Sequence, residues 1–359
     1  MIRGITHGTI PLALIIASAV VILACAPQVS PQPAVAPQPT TAARPATPTP
    51  EKGTLEAVKA TSGPASAADA AWSTAPPFQV TLKGEGIFKD KSSKQVTARA
   101  LYTDSDLYLL FRWKDETESL IKDAWRYDGV KWARQRGNED RLAILWEMTP
   151  IDGFAAKGCT AACHDSANEK EKWYFATDAV AQRGDLWHWK SYRSNPLGFA
   201  DDGWLGESDS KASPPTGRRN DPGGGGDSRN ETAEKDRPAL MVDPSKPVPG
   251  LKPGVPVGLM VKDFTVPIKD YSAFKAGDVL GYRILSQPGA GRGDIKAQGT
   301  YGNGEWTVLL SRRLVTGNED DVAFSVDKGY NFGLAVFDDS GDENSYDSTP
   351  LKLRFRPAQ

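Results

Sequence analysis

From about residue 71 onward the chain is a series of short runs in which apolar and polar residues alternate. Residues 78–82, 95–102 and 106–113 begin the series. In the third run Leu107, Leu109 and Phe111 fall on one face, and Tyr108, Leu110 and Arg112 on the other. A two-residue period marks a half-buried strand. Two such runs on either side of Thr103-Asp104-Ser105 make a hairpin. Residues 141–147 form another apolar run of strand length, and the signal returns over 278–285, 295–301, 305–313, 321–326, 330–337 and 351–355. Trp306, Val308 and Leu310 alternate with Thr307, Leu309 and Ser311, and Gly302-Asn303-Gly304 supplies residues that tolerate positive φ in a tight turn. Short strands at this spacing predict an all-β protein, a sandwich closed by its C-terminal strands.

Two stretches break the pattern. Residues 10–24 are an uncharged, mostly apolar run, preceded by Arg3 and ending at Ala24-Cys25. Its length is short for a spanning helix, which needs about 20 residues, and suits the core of a secretory signal. A small residue before a cysteine at the end of that run resembles a bacterial lipobox. Residues 1–24 therefore read as a lipoprotein signal peptide, with Cys25 as the lipid anchor and an extracytoplasmic, membrane-tethered product. Residues 25–70 read as a tether, because the Pro, Ala, Thr and Gln that dominate them up to residue 50 cannot bury enough surface to fold. Residues 71–359 are then the folded domain. Within it, residues 205–250 are rich in Gly and Pro, with Asp221-Pro222-Gly223-Gly224-Gly225-Gly226-Asp227 at their centre, and read as a loop excursion. No Lys-Ser/Thr follows those glycines, so they are not a phosphate loop. Asp338-Asp339-Ser340-Gly341-Asp342-Glu343 reads as a solvated acidic turn that fails the EF-hand pattern.

Candidate chemistry lies in one segment, Cys159-Thr160-Ala161-Ala162-Cys163-His164. Two thiols followed directly by an imidazole form a c-type haem attachment signature, here with three residues between the cysteines instead of two. Each thiol would add to a porphyrin vinyl group, with His164 as one axial ligand. A Cys159–Cys163 disulfide is the alternative in an oxidising compartment, but it leaves the adjacent histidine unexplained. Zinc would need further ligands, and the chain's third cysteine is Cys25. His188 lies 24 residues beyond His164, between Trp187 and Trp189, and is the candidate for the second axial position. Met148 and Lys190 are its rivals, Met241 and Met260 weaker ones. His188 and Lys190 would point the same way from a strand.

Several further pieces carry a family resemblance. They are Trp187-His188-Trp189-Lys190 with Asn195-Pro196 and Asp201-Asp202-Gly203, and Gly304-Glu305-Trp306 with Arg312-Arg313-Leu314. Asp320-Asp321-Val322, residues 333–338 and the Asp104-Ser105-Asp106-Leu107-Tyr108 turn belong with them. In these the chain resembles the haem-binding subunits related to the γ subunit of ethylbenzene dehydrogenase, which group with molybdoenzymes of the dimethylsulfoxide-reductase type. The resemblance implies an immunoglobulin-like or CBM9-like β-sandwich with a haem-binding insertion and long loops. It implies one haem, one-electron transfer, and a molybdopterin/iron–sulfur oxidoreductase or another cytochrome as partner. Members without the cysteines hold haem b between Met and Lys. Cys159, Cys163 and His164 depart from that pattern and imply a single covalent haem c.

With a net charge of −2 there is no electrostatic support for nucleic-acid binding. No Gly-x-Ser-x-Gly elbow is present, and no catalytic residue is expected. The expected function is a tethered mono-haem electron carrier. A carbohydrate-binding module using the 10 tryptophans is the first alternative, and a haem sensor or enzyme with one open axial site is the second.

Overall fold

Leu107, Leu109 and Phe111 enter one core and meet Leu310 and Val308 from the neighbouring strand, as their alternation predicts. In this computed structural model the described residues are 53–84, 93–162, 175–209, 211, 216–246, 259–341, 345–346 and 351–357. All of them belong to the second of two compact units, Thr49–Gln359.

The strands run in chain order as follows. The first seven are β1 (Thr54–Lys59), β2 (Phe78–Lys83), β3 (Ser93–Tyr102), β4 (Asp106–Lys114), β5 (Ala124–Tyr127), β6 (Trp132–Gln135) and β7 (Arg141–Glu147). Next come β8 (Gly184–Lys190), β9 (Phe199–Asp209), β10 (Thr216–Asn220), β11 (Gly226–Arg229), β12 (Leu240–Val242), β13 (Met260–Val261) and β14 (Thr265–Pro267). The last seven are β15 (Val279–Gly281), β16 (Arg283–Ser286), β17 (Ile295–Gly302), β18 (Glu305–Arg313), β19 (Gly329–Phe337), β20 (Ser345–Tyr346) and β21 (Leu351–Arg356). Helix is confined to short turns, among them Phe154–Lys157 and the 3-10 turn Gly158–Ala161.

The main sheet closes on itself in the order β3-β4-β18-β17-β9-β8-β7-β19-β21-β1, with β1 pairing back to β3. The two edge joints are short: β17 meets β9 over two residue pairs, and β1 meets β3 over three. They divide the ring into two layers of a β-sandwich, β3-β4-β18-β17 facing β9-β8-β7-β19-β21-β1. Both layers send side chains into a single core that includes Trp113, Trp146, Trp187, Trp189 and Trp306. Trp189 and Trp306 meet edge to face at 5.0 Å, and so do Trp146 and Trp187 at 5.5 Å, an arrangement that adds to the gain from burial. Small sheets, β11-β16-β13, β12-β14 and β15-β5-β6, are built outside this ring.

Three sequence expectations are corrected. The domain begins at Thr54, not near residue 71: Leu55 and Ala57 are buried, and β1 pairs in parallel with β21 and β3. Its alternation is written in residues so small and mixed that it resembles tether. The stretch 205–250 is not one loop, since β10, β11 and β12 lie in it and pair with β9, β16 and β14. The glycines that suggested a loop serve close backbone approach. Gly223 and Gly225 have positive φ, and a Cβ there would sit 2.4 Å from the Ala290 carbonyl and 2.5 Å from that of Gln287. Residues 321–326 bury Val322 and Phe324 without forming a strand. Side chains satisfy both backbone groups of Val322: its N–H donates to Asp185 at 2.9 Å, and Arg312 donates to its carbonyl at 2.7 Å, while Phe324 N–H donates to the Leu314 carbonyl at 2.8 Å.

Candidate functional site

The sheet β7-β8-β19 has an inner and an outer face. Leu142, Ile144, Trp146, Trp187, Trp189, Leu334 and Val336 face the main core. The alternate positions Ala143, Leu145, Leu186, His188, Ala335 and Phe337 therefore face outward. That face is covered too. Phe154, Ala161 and Ala162 pack on Leu145, Leu186 and Leu205, and Ala143, Ala335 and Phe337 form an adjoining apolar cluster. Ala161 closes the 3-10 turn that contains Cys159, so the polypeptide around Cys159 lies over the outer face of β7 and β8. Cys163 and His164 fall outside the described residues, as does Cys25.

His188 is 2 % exposed, and its ring stacks on Phe337 at 5.3 Å. The Arg218 guanidinium, from β10, lies 2.8 Å from its Nδ1. A guanidinium only donates, so Nδ1 accepts and the ring proton rests on Nε2. Nε2 is buried and has no hydrogen-bond partner. Burial, reinforced by the charges of Arg218 and Lys190, holds the imidazole pKa well below its ordinary value, and the ring is neutral.

Lys190 follows on the same face. Its ammonium pairs with Asp201, which also takes Nε of Arg292 at 2.6 Å. Burial lowers the lysine to about 8 against the opposing pull of Asp201. Burial alone would raise Asp201, but Lys190 and Arg292 hold it well below the usual carboxylate range. The structure thus brings His188 and Lys190 together on one buried surface. It separates Met148 from them, because that side chain packs against the main core on the inner face. Met260 is buried on β13 and Met241 half-buried on β12, both in the small outer sheets.

On the inner side β8 and β9 carry a different group. Arg312 is buried, with Nη1 2.7 Å from Asp185, 3.5 Å from Asp202 and 3.4 Å from Asp321. Its guanidinium lies over the rings of Trp187 and Phe324. Burial raises the pKa of both Asp185 and Asp202, since one cation faces three carboxylates.

The profile of the ethylbenzene dehydrogenase family matches residues 69–349, spanning both faces of this sheet. The chain belongs to this family. No curated protein sequence matches it. Among solved structures it is similar to a carbohydrate-binding module of family 9 from Caldicellulosiruptor kristjanssonii in complex with glucose. The identity there is 7 %, with 85 % of this chain and 97 % of that one covered and a TM-score of 0.31. A candidate carbohydrate-binding protein from Bacteroides uniformis gives 8 % identity, 84 % and 99 % coverage, and a TM-score of 0.35. The fold assignment rests on the sheet connectivity itself.

Sequence reasoning missed Arg218, Arg292 and Phe337 as neighbours of His188 and Lys190. Phe337 and Asp201 lay within the stretches that carry the family resemblance, so both were within view. Arg218 stood in a stretch read as loop, with nothing to tie it to a histidine 30 residues earlier.

Proposed function

We propose that this protein is a tethered mono-haem c-type electron carrier, with covalent attachment at Cys159 and Cys163 and axial ligation by His164 and His188. The observation that carries the reading is the buried, unpartnered Nε2 of His188, on the sheet face over which the Cys159 turn lies. An orphaned imidazole nitrogen buried away from water is costly unless something is there to bind it. A haem held by Cys159, Cys163, His164 and His188 would supply reversible one-electron transfer.

The chain's own residues set the conditions. Leu145, Leu186, Leu205, Phe154 and Phe337 exclude water from the outer face. Phe337 fixes the plane of the His188 ring by stacking. For Nε2 to act as a ligand, its proton must move to Nδ1, and Arg218 must then withdraw from Nδ1 because two donors cannot face each other. Lys190 offers the rival ligand only after it leaves Asp201 and loses a proton.

Family membership supports a place beside a molybdopterin/iron–sulfur oxidoreductase, and the signal sequence with Cys25 supports an extracytoplasmic lipid anchor. The sugar-binding reading finds less support. Among the described residues eight tryptophans are buried, and the ninth, half-buried Trp204, has Arg183 and Arg219 over its ring.

The test is expression of the full chain in a host competent in cytochrome maturation. The expected outcome is haem stain retained on a denaturing gel, a pyridine haemochrome spectrum of the c type, and loss of both in the Cys159→Ala/Cys163→Ala double variant. A colourless product with the mass of the bare polypeptide sinks the reading. His188→Ala should keep the covalent haem but lose the low-spin spectrum and gain carbon monoxide binding in the reduced state.

A further inference from the structure

We propose that Asp221, Asp320 and Asp321 bind a calcium ion where the tetraglycine turn after β10 meets the turn before β17 and the segment after β18. These three carboxylates offer oxygens that all lie within 4.8 Å of one another. They come from parts of the chain about 100 residues apart, so an ion there would tie β10 to the β18–β19 connection.

The second observation is Asp221 itself. It is 4 % exposed, and both of its oxygens are buried with no hydrogen-bond partner. A carboxylate placed so deeply without a donor needs a proton or a cation.

The other acidic clusters are already supplied. Lys94 stands 2.7 Å from Asp338 and 3.6 Å from Asp115 in one of them, and Arg312 answers Asp185, Asp202 and Asp321 in the other, so Asp321 is shared between that cluster and this one. Among the described residues no Lys or Arg pairs with Asp221 or Asp320.

The surroundings are built to hold the cluster in place. Asn318 donates to Asp321 at 3.1 Å and to Asp294 at 2.9 Å. Arg292 N–H donates to the Pro222 carbonyl at 3.0 Å. A side chain at Gly291 would collide with that same carbonyl at 2.6 Å, so the two turns must touch. Asp320 is half-buried, which leaves a route for the ion. A donor set made of oxygens alone selects a hard cation, and calcium accepts irregular geometry where magnesium demands a near-ideal octahedron.

The test uses the full chain stripped with EDTA. Calcium at 1 mM should raise its melting temperature by several degrees, magnesium should not, and calorimetry should give one saturable calcium site. Asp320→Asn, at a half-buried position where folding is retained, should weaken calcium binding more than tenfold. Asp221→Asn should abolish it while melting at or above the stripped wild type in EDTA. The proposal is overturned by a wild-type melt indifferent to calcium with no calorimetric binding, by magnesium acting as well as calcium, or by Asp320→Asn binding as tightly as wild type.

Discussion

His188 and Arg218 face each other as a neutral base and a fixed donor, and this pairing has a measurable sign. The imidazole is held neutral in the folded chain, whereas the unfolded chain titrates near the ordinary value of 6.5. Its contribution to stability is therefore present above pH 6.5 and lost as pH falls below it. Arg218→Gln removes a nearby positive charge, so the His188 pKa should rise toward 6.5, as an imidazole titration by NMR would record. No upward movement would mean that burial and the remaining charges, Lys190 first among them, set the value. Asp201 behaves differently, because Lys190 depends on it. Asp201→Asn strands a buried ammonium that Arg292 cannot help, and should cost about 3–5 kcal/mol of stability in a denaturant melt. A loss under 1 kcal/mol would show that water reaches Lys190.

The elements that matter most are β8 with its neighbours β7 and β9. β8 sends Trp187 and Trp189 inward, Asp185 to Arg312, and His188 and Lys190 to the opposite side, so one strand couples the core to the candidate site. β10 brings Arg218 to that site only because Gly217 lets it lie close. A Cβ at residue 217 would sit 1.9 Å from the Gly206 carbonyl and 2.8 Å from the Ala176 backbone. Gly217→Ala should push β10 off β9 and separate Arg218 from His188. The expected readouts are a drop of about 1–3 kcal/mol in stability and a rise in the His188 pKa like that of Arg218→Gln. A Gly217→Ala variant with both values unchanged would mean the strand edge yields without strain. In the core, Leu334→Ala on β19 should cost about 2–5 kcal/mol, since its cross-strand neighbour Ile144 on β7 is held in the sheet and cannot collapse inward.

At the scale of the molecule, ring closure is the controlling feature. β1 fills the gap between β21 and β3 and leaves neither with a free edge. A chain starting at Gly53 should therefore melt like the full chain. One starting at residue 71 loses the buried Leu55 and Ala57 and exposes two strand edges. It should lose roughly 3–5 kcal/mol and self-associate on size exclusion. Equal melting temperatures for the two truncations would show that β1 is an ornament on a ring already stable without it.

Local patterning was enough for the strands whose two faces differ sharply. Leu107, Leu109 and Phe111, or Trp306, Val308 and Leu310, declare a buried face by their spacing alone, and the Gly302-Asn303-Gly304 turn declares the hairpin between β17 and β18. The cysteine–histidine signature and the link between His188 and Lys190 were also matters of spacing along one chain. What spacing could not express was contact between distant segments. β1 is recognisable only from the gap it fills, Arg218 from the glycine that brings β10 onto β9, and Asp221 from two turns pressed together by glycines. Residues 321–326 carry the strand alternation, yet both backbone groups of Val322 are taken by the buried side chains of Asp185 and Arg312. A periodic pattern is a property of neighbours in sequence. The charge, burial and hydrogen bonding that decide a site belong to neighbours in space, and those exist only once the ring has closed.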